Sequence, residues 1–279
     1  MKSTAVCPFT LNLRGRLFSA DRPQVMGILT ATPDSYSAPS RLNGLDNLEF
    51  QAERLLEQGA DWLDVGGCST RPGATWPSPD EEWARLDGVF TRLRHRFGAA
   101  IPLSVDTFRS EIARRALDQG ADLVNDVSGG LLDPAIWSVA EAARAPYVLT
   151  HYPASTDAPL LGEDRVTAAA IRELSERLIA ARESGLNDVI LDPGIGFGKT
   201  PEGNLRLVRD LALFAEFPHP LLVGLSRKSL ITRTLGIRAD EALSATSALH
   251  ALALERGAQI LRVHDPREAR QVIQLVSGF

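Results

Sequence analysis

Eight short apolar runs, each followed by a turn and in several cases a clear helical stretch, constrain this chain more than any other feature. They are "QVMGILT" (24–30), "DWLDVGG" (61–67), "IPLSVDT" (101–107), "ADLVNDV" (121–127), "PYVLTHY" (146–152), "DVILDPG" (188–194), "PLLVGLS" (220–226) and "QILRVHD" (259–265). Near-continuous apolar runs of this length read as parallel strands buried on both faces. Between them the 3.6-residue spacing predicts helices over 48–59, 109–120 and 164–185, with Leu48, Ala52, Leu55 and Leu56 on one face of the first. Each of these three ends at a glycine, a C-cap signal, just before "AD" or "ND" and a new strand. Strand then helix, repeated over roughly 250 residues, predicts a single α/β domain over 1–279, a (β/α)8 barrel of the TIM type with the barrel proper at about 24–276. An open doubly wound sheet is the competing arrangement. The segment "FTLNLRGRLFS" (9–19) reads as a hairpin at the barrel base.

Composition narrows the partners. The 279 residues are 44% hydrophobic and 23% charged, with net charge −5, which argues against non-specific binding to nucleic acid or an anionic membrane. Two cysteines, Cys7 and Cys68, form neither a disulfide framework nor a metal-type pair. The first residues make a poor secretory signal, and no run approaches the ~18 apolar residues of a membrane span. A cytoplasmic protein is expected.

Polar residues gather where these strands end, which in a barrel is the catalytic rim. They are Asp64, Asp106, Asn125 and Asp126, His151, Asp192, then Ser226, Arg227 and Lys228, and finally Arg262 and His264 on alternate positions. A structural barrel has no reason to collect desolvation costs at one mouth. The acceptors Asp64, Asp106, Asn125 and Asp192 suit a ligand edge rich in N–H groups. Arg71, Arg227, Arg262, His264 and Lys228 suit an anion. The expected ligand is therefore a nitrogen-rich ring joined to an anionic group. Binding of a metal by His151 with aspartates is chemically conceivable, but no ligand pair has helical i, i+4 spacing. Of 30 basic residues 27 are Arg, so lysine at 228 stands out. An ammonium is compact and aims three donors from one point, where a guanidinium needs room for its planar fork. Lys199, after "GFG", reads either as a loop anchor or as an exposed loop residue. The long loops 31–45 and 68–79 suggest lids.

The stretches "GILTATPDSYS" (27–37), "DVGGCSTRPGA" (64–74), "SVDTFRSE" (104–111), "NDVSGG" (125–130), "LDPGIGFGKTPEGN" (191–204), "VGLSRKS" (223–229) and "GAQILRVHD" (257–265) together resemble the dihydropteroate synthase family, in order and one per strand end. The resemblance implies a Mg²⁺-using, homodimeric transferase of folate biosynthesis. Such an enzyme joins p-aminobenzoate to 6-hydroxymethyl-7,8-dihydropterin diphosphate and releases pyrophosphate. It implies pterin contacts from Asp106, Asn125, Asp192 and Lys228. Arg71, Arg262 and His264, with Thr70, are implied to take the diphosphate. Tyr36, Thr70, Pro72, Phe197 and Ser226 are implied to shape the p-aminobenzoate site. Asp106, Lys228, Arg262 and Asp192 are the implied catalytic set. Asp64 is expected to order the base of the second loop. The apolar stretch 243–257 could serve a dimer or pack on the barrel.

The chain departs from the family pattern at several places. Thr30 stands where an asparagine associated with the Mg²⁺–diphosphate unit is usual, and Cys68 where a glutamate is usual. The fifth strand ends Thr150, His151, Tyr152, Pro153, and the first loop lacks the usual Asp-Gly-Gly. Cys68 reads as a small, semi-buried spacer, with a reactive thiol as the other reading. The alternatives are a pterin-binding paralogue with little or no synthesis and a methyltransferase barrel that binds a reduced folate. An isomerase or aldolase barrel is disfavoured, because acidic groups would repel a polyol phosphate.

Overall fold

A computed structural model describes residues 8–31, 44–68, 76–152 and 160–278. Among the described residues ten strands form: β1 (Phe9–Leu13), β2 (Arg16–Ala20), β3 (Gln24–Thr30), β4 (Trp62–Gly66), β5 (Leu103–Asp106), β6 (Leu123–Asp126), β7 (Tyr147–Thr150), β8 (Val189–Asp192), β9 (Leu222–Gly224) and β10 (Ile260–Val263). The last eight make one parallel sheet in the order β8-β7-β6-β5-β4-β3-β10-β9. A parallel bridge between Leu191 and Leu221 joins its two ends, so the sheet closes into a barrel. Every predicted apolar run contains one of these strands, and the open-sheet alternative is excluded.

The helices are α1 (Gly44–Glu57), α2 (Pro79–Leu86), α3 (Val89–Phe97), α4 (Ser110–Asp118), α5 (Ala135–Ala142), α6 (Val166–Glu183), α7 (Pro201–Arg209), α8 (Leu211–Phe214), α9 (Ser229–Leu235), α10 (Leu243–Glu255) and α11 (Pro266–Val276). The three expected helix stops lie at Gly59, Gly120 and Gly185, with φ of +98°, +111° and +91°, a conformation that glycine adopts without Cβ strain. α2 starts at a reciprocal capping box formed by Ser78 and Glu81. The stretch 243–257 is the helix α10, and Thr246, His250, Ala253 and Leu254 on it are buried.

Strand alternation splits the core into two layers. One parity, with Val25, Leu29, Leu63, Val65, Val105, Val124, Leu149 and Leu191, packs outward against the helices. The other parity points into the barrel. There Met26, Trp62, Leu123, Val148, Ile190, Leu222 and Ile260 pack on Phe9, Leu11, Leu13 and Ala20 of the hairpin. The β1–β2 hairpin is therefore the apolar plug expected at the base. Its turn holds Arg14 and Gly15 at positive φ, as a tight two-residue hairpin loop requires. Asn12 N–H donates to Asp188 (3.0 Å) and the Arg14 guanidinium to the Leu117 and Ala121 carbonyls (2.7 and 3.0 Å), which ties the plug to the connections that enter β8 and β6 at the base.

Candidate active site

Two residues above the plug, the same inward face turns polar. Trp62 is followed by Asp64, Leu123 by Asn125, Ile190 by Asp192 and Ile260 by Arg262, each pair on one strand and one parity. Register keeps these groups together. Ser104 lies beside Asp64, and Asp106 is paired with Gly66 on one side and Asn125 on the other. The result is a cup at the C-terminal end of the strands, floored by charges rather than by hydrocarbon.

Arg262 organises the floor. Its Nε donates to Asp64 Oδ2 (2.6 Å) and its Nη2 to Asp106 Oδ2 (2.5 Å). Asn125 Nδ2 also donates to Asp64 Oδ2 (3.0 Å). Asp64 is fully buried, so this pairing compensates a charge that has no access to water. Burial pushes Asp106 up to about 7, against the pull of Arg262 and with help from the neighbouring carboxylates Asp64 and Glu82. Burial also raises Asp192, while Lys228 opposes the shift. Lys228 is lowered to about 8 by burial, opposed by the attraction of Asp192. Arg262 stays firmly charged: burial works against it, but Asp64 and Asp106 outweigh that. The cup thus holds two carboxyl groups whose proton affinity is raised and an ammonium whose proton affinity is reduced, the pattern that marks functional sites.

The wall is built by the turns after β8 and β9. Asp192 Oδ1 accepts from Gly194 N–H (2.7 Å). Lys228 donates to the Ile195 carbonyl and lies 4.7 Å from the centre of the Phe197 ring. A Cβ at Gly224 would stand 3.5 Å from Lys228 Nζ, an ordinary contact, so the inward face of β9 lies directly against the lysine. Ser226 Oγ lies 3.0 Å from His264 Nδ1, which joins the ends of β9 and β10. Between Ser226 and Lys228, Arg227 sits at φ +55° and turns away from the cup into a two-pronged pair with Asp265 (2.9 and 2.6 Å). Its expected role as an anion donor is therefore replaced by a structural one.

Four further expectations change. His151 does not face the mouth. Val148 and Thr150 take the inward parity on β7, so His151 points outward and its Nε2 lies 3.0 Å from Glu173 on α6. Burial, reinforced by Lys199 and Arg177, pushes its pKa far down, and it is neutral at pH 7. Asp126 likewise faces out and accepts from Ser128, Gly130 and the Tyr147 hydroxyl. Asp64, expected at the base of the second loop, is a floor group. Arg262, expected on the diphosphate, is the counter-ion of that floor; its Nη1 edge takes part in neither carboxylate bond.

Lys199 is the anchor. It is 6% exposed, and its ammonium donates to the carbonyls of Gly194 and Phe197. Burial lowers it to about 7. Cys68 is buried and its thiol is raised to about 11, mainly by burial and by Glu82, which suits a spacer rather than a nucleophile. Residues that the sequence reading left without a role include Ile28 on the inner face beside Asp64 and Tyr152, whose ring centre is 5.9 Å from that of Phe197. Tyr36, Thr70, Arg71, Pro72 and Pro153, and most of the two expected lids, lie outside the described residues. Among the described residues no group of three His, Cys, Asp or Glu side chains could hold a metal ion. Thr30, on the inward parity of β3, brings one neutral oxygen, which does not make a resident magnesium site by itself. A cavity of about 530 Å³ lies at the opposite, base end, lined by Phe9, Pro23, Phe217, Pro220 and their neighbours. Its walls carry none of the charged groups of the cup.

Fold and cup together define a (β/α)8 barrel whose strand-end mouth has the polar, charge-paired lining of an active site. Comparison with known proteins narrows this. The family profile described as "Pterin binding enzyme" matches residues 26–264. The dihydropteroate synthase of Synechocystis is 41% identical over 270 residues, 92% of this chain and 90% of the relative. The solved dihydropteroate synthase of Xanthomonas albilineans with 4-aminobenzoic acid superposes with a TM-score of 0.88 at 39% identity, covering 96% of this chain and 97% of that one. A second structure of the Xanthomonas albilineans enzyme, in complex with 7,8-dihydropteroate, gives 0.84 at 36% identity, covering 97% and 98%. The chain belongs to the pterin-binding enzymes and, among them, to the dihydropteroate synthase family. The resemblance seen in its strand-end motifs is thereby established. Among the described residues no helix is long and apolar enough to cross a membrane.

Proposed function

We infer that this chain condenses 6-hydroxymethyl-7,8-dihydropterin diphosphate with p-aminobenzoate to give 7,8-dihydropteroate and pyrophosphate. One observation carries the reading: Asp106, Asn125 and Asp192 sit on the inward face at the ends of β5, β6 and β8, with both carboxyl groups within electrostatic reach of Lys228. Acceptors of that kind complement the amino and ring N–H groups of a pterin, and one compact ammonium complements its carbonyl and ring nitrogen.

The chemistry follows from where charge develops. Breaking the C–O bond leaves positive charge on the methylene, spread into the pterin ring, and sends the electron pair to the departing diphosphate. Fixed carboxylates under the ring strengthen their interaction as that cation forms. Arg262 keeps Asp64 and Asp106 aimed for this role, and its charge opposes the rise of the Asp106 pKa. His264, Arg71 and Thr70, with the Nη1 edge of Arg262, are the groups we assign to the diphosphate. Phe197, Ser226, Tyr36, Thr70 and Pro72 are assigned to p-aminobenzoate. Its aromatic amine is already neutral at pH 7 and attacks the methylene without a strong protein base. Water would capture the cation, so closure over the cup is part of the proposal.

The Thr30 hydroxyl would be the contact on the described strands for a magnesium ion brought by the diphosphate, which would offset the charge of the leaving group. A homodimer in the cytoplasm completes the reading. The test is pyrophosphate release with both substrates, with and without Mg²⁺, in the wild type and in Thr30→Asn. Release that needs both substrates supports the synthase. Thermal protection by the pterin diphosphate without turnover supports a pterin-binding paralogue instead.

A further inference from the structure

The turn after β8 has an unusual backbone. Gly194, Gly196 and Gly198 all have positive φ, at +68°, +98° and +61°. A Cβ at Gly194 would lie 1.8 Å from the His151 carbonyl oxygen, so the turn is pressed against the end of β7. Glycine-rich backbone has little preference of its own for one shape. Yet this turn presents two groups to Lys228: the Ile195 carbonyl and the Phe197 ring.

Two clamps hold the turn from the side away from the cup. Asn204 on α7 accepts from Gly196 N–H (2.6 Å) and donates to the Thr200 carbonyl (2.9 Å). The buried Lys199 ammonium donates to the carbonyls of Gly194 (2.7 Å), Phe197 (2.9 Å) and His151 (3.5 Å). Those three acceptors match the three donors of an ammonium and meet at one atom, a geometry that a planar guanidinium does not serve. The chain, which writes 27 of 30 basic residues as Arg, therefore uses lysine on both sides of one turn. Lys199 grips it from outside the cup and Lys228 reads it from inside.

We propose that Lys199 is a positioning residue for the condensation. By tying the Gly194 and Phe197 carbonyls to the end of β7, it fixes the ring and the carbonyl that locate the Lys228 ammonium and one wall of the p-aminobenzoate site. This rests on the functional reading above.

The test compares Lys199→Met with Leu178→Ala, which truncates a buried side chain on α6, outside the cup. Both lose thermal stability. Lys199→Met alone raises KM for p-aminobenzoate about tenfold and weakens the calorimetric affinity for the pterin diphosphate about tenfold, since the turn it holds meets both the Phe197 wall and Lys228. Amide exchange at residues 193–198 speeds up about tenfold in Lys199→Met and stays unchanged in Leu178→Ala. Equal KM values in the two variants overturn the proposal. If Lys199→Met does not fold, Asn204→Ser releases Gly196 in the same turn, and an unchanged KM there overturns it as well. A wild type that releases no pyrophosphate sinks the functional reading instead, and the exchange rates at 193–198 then still decide whether Lys199 holds the turn.

Discussion

The two ends of this barrel are built from the same strands by opposite means. At the base, Trp62, Leu123, Ile190 and Ile260 meet the hairpin, with Phe18 edge-on to Trp62 at 5.2 Å. Two residues further along, the same strands present Asp64, Asn125, Asp192 and Arg262. The base gains from removing apolar area from water, on the order of 25 cal/mol per Å². The mouth carries buried charge that is at best neutral for stability. The contrast teaches that the plug stabilises the fold while the cup is a cost tolerated for function. The hairpin, by sealing the base, leaves the mouth as the open end of the interior.

The sharpest way to break this division is Arg262→Met. It strands Asp64, which is fully buried, and removes the partner of Asp106. Loss of about 3–5 kcal/mol in chemical denaturation is expected, as for other buried pairs broken on one side, together with loss of turnover. Retained stability would show that the floor is hydrated rather than dependent on the ion pairs. Trp62→Ala tests the other end. It empties the space against Phe18 and is expected to cost about 3 kcal/mol or somewhat more, with kcat/KM at 25 °C unchanged within about twofold. A large kcat/KM change there would mean the base is not separate from the chemistry.

A smaller effect lies in the pH dependence. Asp106, raised to about 7, must ionise to face the developing cation, and Lys228, lowered to about 8, must keep its proton. A bell-shaped kcat/KM profile with its maximum between those values is expected, falling about tenfold per unit on each side. The signs for stability are opposite on the two flanks. The folded state holds the Asp106 proton more tightly than the unfolded chain does, so stability falls as pH rises from the ordinary carboxylate range to about 7. The folded state holds the Lys228 proton less tightly, so stability recovers from about 8 toward the ordinary lysine value of 10.5. Activity should peak where the cup contributes least to stability, and Trp62→Ala should leave that pattern in place. A flat kcat/KM profile from pH 6 to pH 9 would remove the cup from the rate.

Much of this was legible in the sequence, for physical reasons that also mark where reading stopped. Strands buried on both faces are written as apolar runs, so all eight were visible. Asp106, Asn125, Asp192 and Lys228 stood out as polar residues at their ends. For the same reason parity was hidden: when both faces are apolar, alternation does not say whether Asn125 or Asp126, Thr150 or His151, turns inward. Only the neighbours settle that, through Leu123 and Val148 on the plug. The double pairing of Arg262 joins residues 198 and 156 positions apart, beyond any local pattern. The outward turn of Arg227 depends on a left-handed backbone that a non-glycine residue does not announce.

The central claim is that a carboxylate at the end of β5 acts on the developing pterin cation. Asp106→Asn keeps the shape and an acceptor for Arg262 while removing the charge. Steady-state pyrophosphate release at pH 7.5 should fall about a hundredfold or more, with unfolding free energy within about 1 kcal/mol of the wild type. A rate within about threefold of the wild type, in a folded variant, would contradict the account.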